Sequence, residues 1–131
     1  MKVTADTNVL IRTIVDDDEA QTTRAVELLE TADMVAVSLQ TMCELVWVLR
    51  SRYEADRADI ATALRTLLNT SNVVVNRPAA EAGLAVLGAG GDFTDGVIAY
   101  DGTWLGAETF VSFDKKAVSL LTKQGQTALL L

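Results

Sequence analysis

The fold is organised around a stretch close to the beginning of the chain, Val3-Thr4-Ala5-Asp6-Thr7-Asn8. It opens as a short apolar strand and leads directly into a carboxylate. Beyond it, apolar residues recur at the spacing of a helix, so Asp6 lies where a strand ends and a helix is about to begin. In open α/β sheets, ligands bind at the carboxyl ends of the strands. We therefore expect the other residues that carry chemistry to converge on Asp6.

The rest of the chain alternates between strand and helix patterns. Five segments have the composition of strands: Lys2–Ala5, Met34–Val37, Val73–Val75, Thr109–Val111 and Ala128–Leu130. The third segment is β-branched throughout, which favours burial in a parallel sheet. Helical patterns fill the intervals between the strands. This alternation predicts an α/β fold with a mostly parallel central sheet covered on both faces, formed by a single domain over residues 1–131.

Polar and glycine residues mark the ends of the helices. Thr7 or Asn8 is a suitable N-cap for the first helix, and Ser38 for the third. Pro78 fits the first turn of a later helix. The helix that begins at Asp92 is expected to stop at Gly102.

Composition excludes several classes of protein. Half of the 131 residues are hydrophobic, so a packed core is expected. The net charge of −7 argues against a basic nucleic-acid binder and leaves open binding through metal ions or a basic partner. There is no histidine, so any acid/base or metal chemistry must use carboxylates.

The location is expected to be a reducing cytoplasm. The longest apolar runs are far below the ~20 residues of a membrane span. The first strand begins almost at Met1, so we expect no signal peptide. Cys43 is the only cysteine, which excludes an internal disulfide and a cysteine-based metal framework.

Five acidic residues occupy positions where chemistry is expected. Asp6 and Asp114 follow strands, Asp92 and Asp95 straddle the start of a helix, and Glu44 lies beside the apolar stripe of another helix. Each has a structural interpretation as a cap, a turn residue or a solvated charge. For Asp92 the capping interpretation is favoured. Together, however, Asp6, Asp95 and Asp114 all fall near strand-to-helix junctions, at the edge where α/β sites form.

A cluster of carboxylates suits a hard divalent cation. Mg²⁺ prefers oxygen ligands, commonly one or two carboxylates with waters and substrate phosphate. Without a cation, gathered carboxylates repel one another. Since histidine is absent, a metal-activated water is the natural nucleophile for phosphodiester cleavage.

Four motifs, in order, carry a resemblance to a known family. They are Asp6-Thr7-Asn8 with Arg12 following, Glu44 before Leu45-Val46-Trp47-Val48-Leu49, Asp92-Phe93-Thr94-Asp95 leading into Ile98-Ala99, and Ser112-Phe113-Asp114 after a strand. Their order and spacing resemble those of PIN-domain ribonucleases, and in particular the VapC-type toxins of bacterial and archaeal toxin–antitoxin pairs. The resemblance covers essentially the whole chain.

The resemblance implies a three-layer α/β/α PIN fold and Mg²⁺- or Mn²⁺-dependent cleavage of RNA. It implies that metal binding and catalysis rest on four acidic residues: Asp6, Glu44, Asp95 and Asp114. Thr7, Asn8 and Asp92 match the motifs as supporting residues. Proteins of this type commonly form homodimers, and a cognate antitoxin inhibits them in a heterotetramer or larger complex, often by inserting a basic side chain into the site.

Other residues are weaker candidates for RNA contacts. Arg12, Lys115 and Lys116 could contact phosphate, although the two lysines could equally be a solvated surface pair. Trp47 is expected in the core or at a dimer interface and not as a platform for stacked bases.

Two other functions remain open on the sequence. A Mg²⁺-dependent phosphatase of similar fold would need an Asp-x-Asp arrangement after the first strand, and position 8 is Asn8. A non-catalytic receiver or partner-binding domain with an acidic pocket is the second alternative. A receiver would need two acids after the first strand, where Asp6 stands alone, and a lysine late in the chain. A metal-dependent endoribonuclease is the leading hypothesis.

Overall fold

The computed structural model describes all residues, Met1–Leu131. Its elements, in chain order, are β1 Lys2–Thr4, α1 Thr7–Ile14, α2 Glu19–Thr31, β2 Met34–Ala36, α3 Leu39–Ser51, α4 Arg57–Leu68, β3 Val73–Val74, α5 Arg77–Gly88, α6 Phe93–Trp104, β4 Phe110–Ser112, α7 Lys115–Lys123 and β5 Ala128–Leu130. The contacts form two compact units, Met1–Asn76 and Arg77–Leu131. The single domain expected from the sequence stays a prediction.

The first unit contains a parallel sheet in the order β1-β2-β3. Val3 pairs with Val35, and Val35 pairs with Val73, so β2 is the central strand of the three. Val35 is fully buried, as a central parallel strand requires. The prediction that the third strand is buried is wrong for Val74, which is 53% exposed. The reason is that β3 is an outer strand of this sheet, so one side of it lacks a neighbouring strand.

The start of α1 differs from the sequence expectation. Asp6 is the N-cap, with extended backbone angles (φ −87°, ψ 174°), and its Oδ1 accepts a hydrogen bond from the Val9 amide at 3.1 Å. Thr7 is instead the first helical residue and is buried, so neither Thr7 nor Asn8 caps the helix. Ser38 caps α3 as predicted, accepting from the Thr41 amide.

The core of the first unit is formed by apolar faces of its helices and by the central strand. Its largest fully buried side chains are Leu10, Val35, Met42, Leu45, Val46, Ile60 and Leu64. Burying one such side chain stabilises a fold by about 1.5–3 kcal/mol. Trp47 lies outside this core, since 67% of it is exposed. Of the two places expected for Trp47, the core is excluded by this exposure, and the dimer interface stays a prediction.

The second unit joins a parallel pair of strands to three helices. Val111 on β4 pairs with Leu129 on β5, and α7 connects the two strands. The predicted last strand, Ala128–Leu130, is confirmed. The helix expected to stop at Gly102 continues to Trp104, and the chain turns at Gly106 with a φ of +108°. Glycine tolerates this left-handed angle, so Gly106 rather than Gly102 ends the helix.

None of the helices combines the length and the apolar character that crossing a bilayer requires.

Candidate active site

Asp6 is positioned by the junction between β1 and α1. Its Oδ1 is used by the helix cap, while Oδ2 accepts no hydrogen bond within the protein. The side chain is exposed. A carboxylate with one oxygen fixed by a helix and the other directed to solvent is oriented without being consumed by the fold. Asp6 can therefore serve both as a cap and as a ligand.

The other candidates of the first unit differ in how exposed they are. Glu44 is exposed on α3, whereas Met42 and Leu45, which are close to it in the sequence, are buried. Asn8 is exposed in the first turn of α1, whereas Thr7 is only 7% exposed. A buried Thr7 can support the site by packing, while Asn8 is accessible to a bound molecule.

Asp92 and Asp95 lie at the start of α6 in different environments. Asp92 is the exposed N-cap, and its Oδ1 accepts a hydrogen bond from the Thr94 amide at 3.1 Å. This confirms the capping interpretation of Asp92. Asp95 lies in the first turn and is half-buried, and its carboxylate accepts no hydrogen bond within the protein. Asp95 is thus the acid of this motif that has no structural role of its own as a cap.

Asp114 follows β4 and caps α7. Its Oδ1 accepts hydrogen bonds from the Lys116 amide at 2.9 Å and the Ala117 amide at 3.1 Å. Its own amide donates to the Ser112 Oγ at 2.9 Å, which fixes the turn between strand and helix. The motif Ser112-Phe113-Asp114 therefore has a structural function beside any chemical one.

The second unit brings three of these acids within electrostatic range of one another. The pKa of Asp95 is raised above its ordinary value of 3.8, first by burial and then by the charges of Asp92 and Asp114. A carboxylate under this influence is more costly to ionise than a solvated one. The acids thus create a local negative potential that a cation would relieve.

Neither unit, taken by itself, gathers three acidic or cysteine side chains closely enough to hold a metal ion. The donor chemistry nevertheless fits a hard divalent cation, because all the candidates offer carboxylate oxygens. Metal ligation by Asp6, Glu44, Asp95 and Asp114 stays a prediction.

The basic candidates differ in how available they are. Arg12 is half-buried and forms an ion pair through Nη1 with the Asp17 Oδ1, while its Nε donates to the Gln21 Oε1 at 2.7 Å. Lys115 and Lys116 are exposed in the first turn of α7. The two lysines are accessible to a polyanion, whereas the guanidinium of Arg12 already has a counterion.

The sequence analysis missed two glycines at which α5 and α6 approach each other closely, Gly83 and Gly96. A Cβ on Gly96 would lie 2.4 Å from the Ala82 carbonyl oxygen, and one on Gly83 would lie 2.6 Å from the Phe93 ring. The backbones of α5 and α6 therefore touch beside Asp95. The only signal in the sequence is a glycine within each helix interior, where glycine costs about 1 kcal/mol relative to alanine and so suggests a packing role.

Parallel strands joined by helices, with acids at the strand-to-helix junctions, define an α/β protein with an acidic site. The chain matches the PIN domain family over residues 3–119 and belongs to that family. The match includes Asp6, Glu44, Asp95 and Asp114. No curated protein matches the chain.

Membership has direct consequences for fold and activity. The seven helices and all-parallel strands agree with the three-layer α/β/α fold of PIN domains. PIN domains are commonly nucleases, and those nucleases typically use divalent metals, which places the chain among hydrolase-type folds.

Proposed function

We propose that this protein is a metal-dependent endoribonuclease and the toxin of a toxin–antitoxin pair. The observation that carries the proposal is the placement of Asp95, a half-buried acid that accepts no hydrogen bond within the protein and lies within electrostatic range of Asp92 and Asp114. A fold has no structural reason to hold a third acid there, because Asp92 and Asp114 already cap the helices. A carboxylate without a structural partner in a family of nucleases is best explained by its chemistry.

The residues that would hold Mg²⁺ or Mn²⁺ are Asp6, Glu44, Asp95 and Asp114. When bound, such a cation stabilises the charge that develops on the phosphoryl oxygens and activates water. Asp6 offers its Oδ2, because only its Oδ1 accepts a hydrogen bond within the protein. Asp95 offers both carboxylate oxygens, because neither of them accepts a hydrogen bond within the protein. Asn8 supports the site as an exposed amide, and Thr7 supports it by packing.

RNA binding to this acidic chain requires local positive charge. The net charge of −7 repels a polyanion at long range. Lys115 and Lys116 follow Asp114 directly and are exposed, so they can contact backbone phosphate beside the acid. Such contacts fix the register of the RNA and carry no information about its sequence.

A protein partner would use the same charge. A cognate antitoxin with a basic segment gains attraction and association rate from the negative potential around Asp95. The proposed assembly is a homodimer that joins its antitoxin in a heterotetramer or a larger complex. Trp47 is our candidate for the edge of the dimer interface, because a large aromatic side chain that is 67% exposed is suited to burial by another subunit.

An RNA cleavage assay with paired variants of the first unit tests the enzymatic part of the proposal. Glu44→Gln keeps the size of the side chain and removes a proposed metal ligand. Glu27→Gln makes the same change at an exposed glutamate of α2 that has no proposed role. We expect cleavage to fall by ~100-fold or more in Glu44→Gln, as when one group that stabilises the transition state is removed, and to stay within twofold in Glu27→Gln. Equal rates for the two variants would contradict the assignment of Glu44.

Expression in bacteria tests the toxin role separately. The wild type should arrest growth, and Glu44→Gln should not. Co-expression of a small neighbouring gene that encodes a DNA-binding antitoxin should restore growth. An active ribonuclease whose expression leaves growth unaffected would disprove the toxin role and leave the enzymatic proposal in place.

A further inference from the structure

A groove between α1 and α2 begins at Asp6. It encloses a volume of about 450 Å³. It is lined by Asp6, Asn8, Val9, Arg12, Gln21, Arg24, Ala25 and Leu28. All of these residues belong to the first unit. The groove thus places two arginines on the same surface as an acid of the proposed active site.

The first of these arginines is already neutralised. Arg12 is ion-paired with Asp17 and hydrogen-bonded to Gln21. The second oxygen of Asp17 accepts a hydrogen bond from the Tyr53 hydroxyl at 2.9 Å. These contacts lower the pKa of Asp17, first through Tyr53 and then through Arg12, so the counterion stays charged. An incoming anion would have to displace Asp17 to reach Arg12.

The second arginine is available. Arg24 is exposed on α2, and its guanidinium forms no ion pair or hydrogen bond within the protein. Gln21 lies three residues before it and Leu28 four residues after it, on the same helix face. Because the Gln21 Oε1 accepts from Arg12, its amide NH₂ is left as the donor end. The groove therefore offers one uncompensated cation and an amide donor beside Asp6.

We propose that this groove binds a backbone phosphate of the RNA substrate, with Arg24 as its cation. On a chain of net charge −7, a phosphate can approach Asp6 only where a cation offsets the repulsion, and Arg24 is such a cation. Arg12 is a positioning residue, which holds Gln21 and the wall of the groove through Asp17 and Tyr53. The inference rests on the proposed ribonuclease function and adds a subsite that flanks the reacting phosphate.

Steady-state cleavage of a single-stranded RNA by matched arginine variants tests the proposal. Arg24→Gln removes the cation, Arg24→Lys retains it, and Arg50→Gln removes an exposed cation of α3 that does not line the groove. A contact to a non-reacting phosphate binds ground state and transition state equally, so its loss raises KM and leaves kcat unchanged. We expect KM to rise about three- to tenfold in Arg24→Gln, with kcat within about twofold of the wild type.

The salt dependence gives a second readout that a structural defect would not produce. Each phosphate contact to a single strand contributes about 0.7 to the slope of log affinity against log salt concentration. The slope should decrease by about 0.7 in Arg24→Gln and stay at the wild-type value in Arg24→Lys and Arg50→Gln. Melting temperatures of the three variants should agree with the wild type, because all the changes are on the surface.

The outcomes separate this proposal from the proposed function. If the wild type cleaves RNA and Arg24→Gln behaves like Arg50→Gln in KM and salt slope, the phosphate subsite is disproved while the ribonuclease stands. If Arg24→Gln weakens binding of the antitoxin and leaves RNA kinetics unchanged, the groove serves a protein and the RNA assignment is overturned. If the wild type cleaves no RNA, both proposals fall.

Discussion

Replacing Asp95 by asparagine should abolish RNA cleavage and leave the metal-free protein as stable as the wild type or more stable. The substitution preserves the shape of the side chain and removes its charge. No hydrogen bond of the fold is lost, because the Asp95 carboxylate accepts none within the protein. What disappears is a charge that is costly to hold there, because burial first, and then repulsion from Asp92 and Asp114, raises the pKa of Asp95.

The size of the effect follows from Coulomb's law. Two unit charges about 6 Å apart interact by about 0.7 kcal/mol in water and about 2.8 kcal/mol at an effective dielectric of 20. Asp92 and Asp114 are exposed, so the aqueous value is appropriate for each. The two neighbours together give about 1.4 kcal/mol. For a chain of this length, that corresponds to a rise of about 4 °C in melting temperature.

The pH dependence of the difference has a defined sign. The folded pKa of Asp95 is raised, so the protonated form is favoured by folding. The stability gained from protonation is fully present below the ordinary pKa of 3.8 and is lost as pH rises through the folded pKa. The advantage of Asp95→Asn should therefore be largest at neutral pH and disappear below about pH 3.8.

Thermal melts in chelator, at pH 7 and at the lowest pH where the protein stays folded, measure this difference. Added Mg²⁺ should raise the melting temperature of the wild type more than that of Asp95→Asn, because the variant has lost a proposed ligand. Asp114→Ala serves as the contrasting variant, since it removes charge and a helix cap together. A melting temperature of Asp95→Asn clearly below that of the wild type, with cleavage intact, would refute the reasoning.

Three further expectations concern stability, and one concerns assembly. Asp114→Ala should destabilise the protein by about 1 kcal/mol in chemical denaturation, because two amides of the first turn of α7 lose their acceptor. Gly96→Ala should destabilise it by several kcal/mol, on the order of overpacking against rigid backbone, since the new methyl group would meet the Ala82 carbonyl oxygen. Asp17→Asn should lower the melting temperature at pH 7, because Tyr53 and the guanidinium of Arg12 hold the pKa of Asp17 low and the charged carboxylate stabilises the fold. That stabilisation is lost as pH falls through the lowered pKa, so the variant and the wild type should melt alike at a pH below it. Light scattering at micromolar concentration should give the mass of a dimer, and a monomeric mass would contradict the proposed assembly.

The local elements of the fold could be predicted where a single residue type decides the structure. Ser38 was predicted as a cap because serine between a strand pattern and a helical stripe has few alternatives. The last strand, Ala128–Leu130, follows a glycine turn and has no competing helical period. In these cases the preference of the chain and the final fold agree.

Predictions failed where tertiary structure decides between equally good local choices. Asp6, Thr7 and Asn8 are all capping residues, and only the burial of Thr7 and the extended backbone of Asp6 select Asp6. Gly102 is a strong stop signal, yet the helix continues to Trp104. A hydrogen bond from the Thr103 hydroxyl to the carbonyl of the preceding turn supports this extension.

The candidate site could be predicted as a set of residues and not as a geometry. Strand and helix patterns identified Asp95 and Asp114 as acids at junctions, because those positions follow from local periodicity. Their mutual electrostatic influence depends on how α6 and α7 pack, which periodicity does not describe. The availability of Arg24 was missed for the same reason. Sequence alone does not reveal that Asp17 has already neutralised Arg12.

The most direct test of the central claim is the rate of RNA cleavage by the wild type before and after removal of divalent metal. We expect cleavage in Mg²⁺ or Mn²⁺, its loss in excess EDTA, and its recovery when Mg²⁺ is returned in excess of the chelator. The chain has no histidine to act as the general base of a metal-free mechanism. An unchanged cleavage rate in excess EDTA would contradict the account.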